Sequence, residues 1–156
     1  MKVQFSPETV LVELRGTVTH SGVRQIHKKI AAAQRKERSV LLVLNSQGGS
    51  LEAALRLAKF IEKLGIAIDA LNTGTVASSA VAIFMACRRR FAVTGTAFHF
   101  HETHLDLQEV SAGPYKARDL AEIAKAMRQN EEEYIAFLCS RSGALDFFVI
   151  YATIYS

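Results

Sequence analysis

The sequence has only two cysteines, no long apolar stretch at its amino terminus and no apolar segment long enough to cross a bilayer. The isolated Cys87 and Cys139 do not make a disulfide framework, and both lie among apolar residues, which is typical of small buried side chains in a reducing compartment. We expect no secretory signal and no membrane association, because no segment is apolar enough for long enough. These absences predict a cytoplasmic protein.

Positive charge is modest and gathered in two short runs. The 156 residues carry a formal net charge of +4, concentrated at residues 34–38 and 88–90. Neither run is interleaved with several aromatic side chains, as a base-stacking surface would be. We interpret both runs as solvated basic turns and expect no nucleic-acid partner. Hydrophobic residues make up 49% of the chain, which argues against disorder and allows one domain with its own core.

Apolar runs and helical spacings alternate along the chain. Strands are predicted at residues 10–14, 39–45, 66–71, 91–93 and 97–101. Helices are predicted from a Ser21 cap to the charged run, over 51–64, over 77–86, and from about Pro114 to Cys139, with turns at 46–50 and 72–74. This alternation indicates an α/β fold of stacked βαβ units, with a mostly parallel sheet flanked by helices.

Two small-residue turns could carry chemistry. Gly48 and Gly49 lie between a buried strand and a helix, where a glycine turn can aim backbone amides at a ligand. Ser78 and Ser79 precede a helix of small apolar residues, whose amino terminus can stabilise a developing oxyanion. The alternatives are an ordinary tight βα turn for the glycines and a simple helix cap for the serines.

The third feature is the histidine-rich segment 99–104, His-Phe-His-Glu-Thr-His. On a strand His99 and His101 share a face, and a histidine at a strand end can serve as a general base. The segment could instead bind a metal. However, its spacing is not the HExxH helix pattern, and Glu102 and His104 point away from the other two histidines on a strand. We therefore expect no metal site, and His99 and His104 could lack any function.

In this order the features resemble the proteolytic subunit of the caseinolytic (Clp) protease, which has the ClpP/crotonase-like fold. The resemblance extends from about Val10 to Gly143, and proline usually stands where this chain has Gln47. It rests on the segments Asn-Ser-Gln-Gly-Gly-Ser (45–50), Gly-Thr-Val-Ala-Ser-Ser-Ala (74–80), Arg-Phe-Ala-Val (90–93) and Ala-Phe-His-Phe-His-Glu (97–102). It implies a single Clp protease-like domain over 1–156, with a long oligomerisation helix at 114–140 and an apolar tail at 144–156.

The resemblance also implies acyl transfer, with Ser78 as the nucleophile and His101 as the base. A one-residue slip would make Ser79 the nucleophile, but register with the preceding glycine favours Ser78. A peptide or unfolded-protein substrate would lie as an added strand, and no cofactor is implied. The other site residues are the oxyanion amides of Gly48 and Ser79 and the substrate-binding residues Gly49, Ser50, Glu102 and Thr103.

The acid that would complete a triad is not evident. The family's aspartate position falls near Ser156, and no carboxylate side chain follows Asp146. Glu102, Asp106, Asp146 or the terminal carboxylate could replace it. The resemblance implies a homo-oligomeric ring. The family's axial-loop segment, which helps to engage an ATPase, has no counterpart here, so the sequence does not support an ATPase partner.

Three functions stay open at this point. The Ser78 and His101 pair favours an active Clp-type serine endopeptidase. The missing acid favours a catalytically impaired structural or peptide-binding subunit, since loss of the acid alone typically costs several orders of magnitude in rate. A crotonase-like enzyme acting on acyl-CoA shares the fold class, but crotonases do not generally use a Ser–His pair. The fold by itself does not decide among them.

Overall fold

A parallel sheet with helices between its strands organises the computed structural model, which describes residues 5–101 and 116–142. The chain divides into two units, Met1–Phe100 and His101–Ser156. The elements in chain order are β1 (Val10–Val18), α1 (His20–Gln34), β2 (Val40–Gly49), α2 (Leu51–Glu62), β3 (Ile68–Ala77), α3 (Ala80–Ala86), β4 (Arg89–Ala92), β5 (Ala97–His99) and α4 (Ala117–Ser142). The expected α/β class is confirmed.

The five strands form one sheet in the order β1-β2-β3-β4, and β5 also pairs with β3. All the pairings among these strands are parallel, as predicted. Strand β3 pairs with β4 through residues 69–72 and with β5 through residues 75–77. The second half of β3 therefore lies between β2 and β5, and it carries the chain directly into the Ser78 turn.

The core of the first unit lies around β2 and the helices beside it. The nearly all-apolar start of β2 is buried, as expected for a central parallel strand, at Val40, Leu41, Leu42 and Leu44. Helix α2 contacts both α1 and α3. Helix α3 is almost wholly buried, as expected of a helix that is apolar on every side.

Three strands are longer than the sequence predicted. Strand β1 continues past Gly16, where φ is +73° and the register with β2 shifts between Arg15 and Thr17. Strand β2 runs through the predicted turn at 46–50 as far as Gly49, and β3 runs through the predicted turn at 72–74. Parallel neighbours supply backbone hydrogen bonds in these stretches, so polar residues and glycines there do not end the strands.

Two helix starts also differ from the prediction. Thr19, not Ser21, caps α1, because the Thr19 hydroxyl accepts a hydrogen bond from the Gly22 amide at 3.1 Å. Helix α3 begins at Ala80 rather than Ala77, since β3 and the two-serine turn occupy the intervening residues.

Helix α4 is the long helix expected near the carboxyl terminus. It continues past the predicted end at Cys139 to Ser142, and its predicted start at Pro114 lies outside the described residues, as does the apolar tail. Near the start of α4, Leu120 is 44% exposed. The buried residues lie further along the helix, at Tyr134, Ile135, Phe137 and Leu138, and burial raises the pKa of the Tyr134 phenol.

The basic run at 88–90 is exposed, and its arginine side chains contact the rest of the first unit; Arg88 lies 3.9 Å from the Asp69 carboxylate. Arg89 donates two hydrogen bonds to the buried Asp69 carboxylate, at 2.6 and 3.1 Å, and this bonding raises the pKa of Arg89. Arg90 donates to the carbonyl oxygens of Met85 and Cys87, where α3 ends. Among the described residues, every helix is too short or too polar to span a bilayer.

Burial predicts which leucine in the sheet matters for stability. Leu42 in β2 is fully buried, whereas Leu11 in β1 is 65% exposed. We expect Leu42→Ala to lower the free energy of unfolding by about 3 kcal/mol, because it opens a cavity in the core. The matched Leu11→Ala should change it by less than about 0.5 kcal/mol. Urea unfolding of the two variants measures these changes. An equal loss of unfolding free energy in both would contradict the burial of Leu42 and the exposure of Leu11.

Candidate active site

Ser78 occupies a sharp turn between β3 and α3. Its φ is +51°, in the left-handed region that non-glycine residues rarely adopt, and its side chain is half-buried. The Ser78 amide donates to the carbonyl oxygen of His99 in β5 at 2.8 Å, which fastens the turn to the neighbouring strand. A strained strand-to-helix turn of this kind can present a nucleophilic hydroxyl at the end of a sheet.

Gly48 lies directly against this turn. A Cβ added to Gly48 would lie 2.7 Å from the Ser78 Cβ, 2.8 Å from the Ala77 carbonyl oxygen and 3.2 Å from the Ser79 nitrogen. Its φ of +93° also favours glycine. The end of β2 therefore approaches the serine turn so closely that no side chain fits between them. The two amides predicted to form an oxyanion hole, those of Gly48 and Ser79, belong to these two adjoining segments.

Ser46 is a residue of this region that the sequence analysis missed. It is 1% exposed, and its hydroxyl accepts a hydrogen bond from the Gly48 amide at 3.1 Å while donating to the Gly16 carbonyl oxygen at 2.5 Å. The Gly48 amide hydrogen is thus engaged within the chain in this geometry. Strand alternation could have indicated Ser46, since it follows Leu42 and Leu44 on the same buried side of β2.

Ser79 differs from Ser78 in both burial and bonding. It is 2% exposed, and its hydroxyl donates to the Gly49 carbonyl oxygen at 3.2 Å. Ser79 stands at the N-cap position of α3 but makes no side-chain capping hydrogen bond, which speaks against the simple cap. Its hydroxyl instead joins the serine turn to the glycine turn. The half-buried Ser78 is therefore better placed than Ser79 to meet a substrate.

The predicted substrate-binding residues Gly49 and Ser50 pack beside the end of β1. A Cβ on Gly49 would lie 2.5 Å from the Val18 carbonyl oxygen, and that oxygen accepts the Ser50 amide at 2.9 Å. The Ser50 hydroxyl caps α2 by accepting the Ala53 amide at 3.2 Å, and it lies 3.2 Å from His20 Nε2. Ser50 thus has a structural role that the sequence analysis did not assign.

Two asparagines hold the part of β3 that precedes the Ser78 turn. Asn72 is fully buried; its amide nitrogen donates to the Ala97 carbonyl of β5 at 3.0 Å, and its side-chain oxygen accepts the Gly74 amide at 3.0 Å. The side-chain oxygen of Asn45 accepts the Thr75 amide at 3.1 Å. Together they fix the second half of β3 and the start of β5. A polar residue after a buried apolar strand was the available signal, but it also suggested a turn.

The structure describes two of the three histidines in the segment 99–104. His99 ends β5 and is exposed. His101 is also exposed and is the first residue of the second unit. Glu102, Thr103 and His104 lie outside the described residues, so the predicted substrate contacts of the first two stay predictions. Within 5–101 and 116–142, no three potential metal-ligating side chains gather into a cluster.

Comparison with known proteins assigns the chain to a family. The model of the Clp protease family matches residues 7–145, which is most of the sequence and includes both turns and the histidine segment. A comparison with curated proteins finds no match. The matched range agrees with the parallel α/β fold and its long last helix. The chain therefore belongs to the Clp protease family.

Proposed function

We propose that this chain is a serine peptidase that hydrolyses peptide bonds through an acyl-enzyme, with Ser78 as the nucleophile and His101 as the general base. The observation that carries the proposal is the left-handed turn at Ser78, packed directly against Gly48. This places a half-buried serine directly beside the Gly48 backbone, and acyl transfer needs a nucleophile next to backbone amides that can serve as oxyanion donors. Membership of the Clp protease family supports the same reaction class.

In the proposed reaction, His101 takes the proton of the Ser78 hydroxyl as its oxygen attacks the substrate carbonyl carbon. The amides of Gly48 and Ser79 then donate to the oxyanion. His101 returns the proton to the leaving amine. Water then attacks the acyl-enzyme while His101 takes its proton, and His101 returns that proton to Ser78 Oγ. The role of His101 is carried over from its position in the family motif.

The hydrogen bond from the Gly48 amide to Ser46 Oγ sets one condition on this mechanism. The Gly48 amide donates to Ser46 Oγ, so it must turn toward the oxyanion or share its hydrogen between the two acceptors. A charged oxyanion is the stronger acceptor, since charge-assisted hydrogen bonds are about twice as strong as neutral ones. The Ser79 amide belongs to the serine turn itself and lies next to Gly48.

The same feature favours a second candidate, a non-catalytic subunit that keeps the fold and binds peptides. If the Gly48 amide stays with Ser46 Oγ, the oxyanion loses one of its two donors. Removal of one such donor typically costs about a hundredfold or more in rate.

In both candidates we propose that a peptide or unfolded-protein substrate binds as an added strand beside Gly49 and Ser50. We also propose that the chain assembles into a homo-oligomeric ring. The acyl-CoA enzyme gains no support.

Active-site labelling tests the proposed reaction. We expect a fluorophosphonate probe to form a covalent adduct that peptide mapping places on Ser78, because the probe reacts only with an activated serine. Ser78→Ala should abolish the adduct. His101→Ala should slow its formation by about a hundredfold or more, because the general base is lost.

Absence of an adduct on the folded wild-type protein would contradict the peptidase and leave the peptide-binding subunit. Ser79→Ala serves as the check on the assignment of the nucleophile. An adduct that maps to Ser79 and disappears in this variant would show that the register of the motif is shifted by one residue.

Gly48 provides a second test, because its contact with the serine turn leaves no room for a side chain. Gly48→Ala should reduce labelling of Ser78 by about a hundredfold, since the new methyl group displaces the turn. Gly95→Ala is the matched control. Gly95 has a similar φ of +86° but no atom within 4 Å of an added Cβ, so it carries the backbone strain without the collision.

Circular dichroism should show both glycine variants folded. Thermal unfolding should show the modest loss expected of a left-handed alanine in Gly95→Ala, and a larger loss in Gly48→Ala because of the added collision. Labelling of Gly48→Ala at the Gly95→Ala rate would show that the approach of Gly48 to Ser78 does not matter for the reaction.

A further inference from the structure

The Ser79 hydroxyl joins the two segments that bear the proposed oxyanion amides. The Ser79 Oγ donates to the Gly49 carbonyl oxygen at 3.2 Å, across 30 positions of sequence. Gly49 follows Gly48, whose amide is one proposed donor, and the amide of Ser79 itself is the other. The hydrogen bond therefore connects the end of β2 to the start of α3 at the point where the two donors must converge.

The surroundings make this hydrogen bond a persistent one. Ser79 is 2% exposed, so water has little access to its hydroxyl. The glycine segment has no side chains of its own with which to fix its position against the serine turn. On its other side, the Ser50 amide donates to the Val18 carbonyl oxygen of β1 at 2.9 Å. The Gly48 amide is bonded to Ser46 and the following Ser50 amide to β1, while Ser79 bonds the Gly49 carbonyl oxygen from the serine turn.

We propose that Ser79 is a positioning residue, whose hydroxyl sets the separation of the two oxyanion donors by fixing the Gly49 carbonyl. The inference rests on the proposed peptidase function. Its consequence is specific to the transition state, because the spacing of the donors matters when negative charge develops on the substrate oxygen. Initial binding of a small fluorophosphonate probe, which makes no strand contacts with Gly49, does not depend on that spacing.

The experiment measures how the labelling rate of Ser78 depends on fluorophosphonate concentration in variants of the full chain. In Ser79→Ala the maximal rate should fall about tenfold, because the phosphonyl oxygen needs both donors, whereas the concentration for half-maximal rate should not change. Ser79→Thr keeps the hydroxyl and should recover much of the loss.

Ser39→Ala is the matched control. The Ser39 hydroxyl also spans 30 positions, bonding Thr9 Oγ1 at 3.0 Å, but it lies at the opposite end of β1 and β2. This variant should label at the wild-type maximal rate. Thermal unfolding of each variant separates a local effect on the site from a general loss of stability.

Each outcome bears on the proposal. Wild-type labelling with an unchanged maximal rate in Ser79→Ala would overturn the positioning role and leave the peptidase standing. Equal slowing in Ser79→Ala and Ser39→Ala would overturn it in favour of a structural role. Failure of the wild-type protein to label would overturn the peptidase and this inference together. Where the added methyl group of Ser79→Thr prevents folding, the comparison of the two alanine variants decides.

Discussion

The close approach of Gly48 to the Ser78 turn is the constraint on which the rest of the site depends. A Cβ at Gly48 would lie 2.7 Å from the Ser78 Cβ, so the Gly48 backbone packs directly against the Ser78 side chain. This approach requires β2 and β3 to be neighbours and parallel, because parallel strands bring their carboxyl ends to the same edge of the sheet. The site is thus a consequence of the sheet topology.

Buried polar side chains then fix the geometry at that edge. Ser46 accepts a hydrogen bond from the Gly48 amide, and Ser79 donates one to the Gly49 carbonyl oxygen. Asn72 joins β3 to β5. Within the described part of the chain, no buried side-chain nitrogen or oxygen is left without a hydrogen-bond partner. A satisfied polar network of this kind in an apolar setting favours one arrangement over its alternatives. It also explains how a strained turn at Ser78 can persist.

The sequence predicted the architecture well, because buried parallel strands and amphipathic helices leave clear patterns at residues such as Val40–Leu44 and in α2. It predicted the ends of strands poorly. Turn-forming residues at 46–50 and 72–74 indicated turns, yet neighbouring strands supplied hydrogen bonds that extended β2 and β3 through them. The roles of Ser46, Ser79 and Asn72 depend on contacts between segments far apart in sequence. Strand alternation could indicate that Ser46 is buried, but local pattern could not reveal the hydrogen-bond partners of these residues. The placement of His101 relative to Ser78 stays a prediction.

A crystal structure of the fluorophosphonate adduct would test the central claim most directly, that the glycine and serine turns together form an oxyanion hole. The account predicts a phosphonyl oxygen on Ser78 within about 3 Å of both the Gly48 and Ser79 amides. The Gly48 amide should then have turned away from Ser46 Oγ or be shared with it. An adduct whose oxygens face solvent, with the Gly48 amide still bonded to Ser46 alone, would contradict the claim.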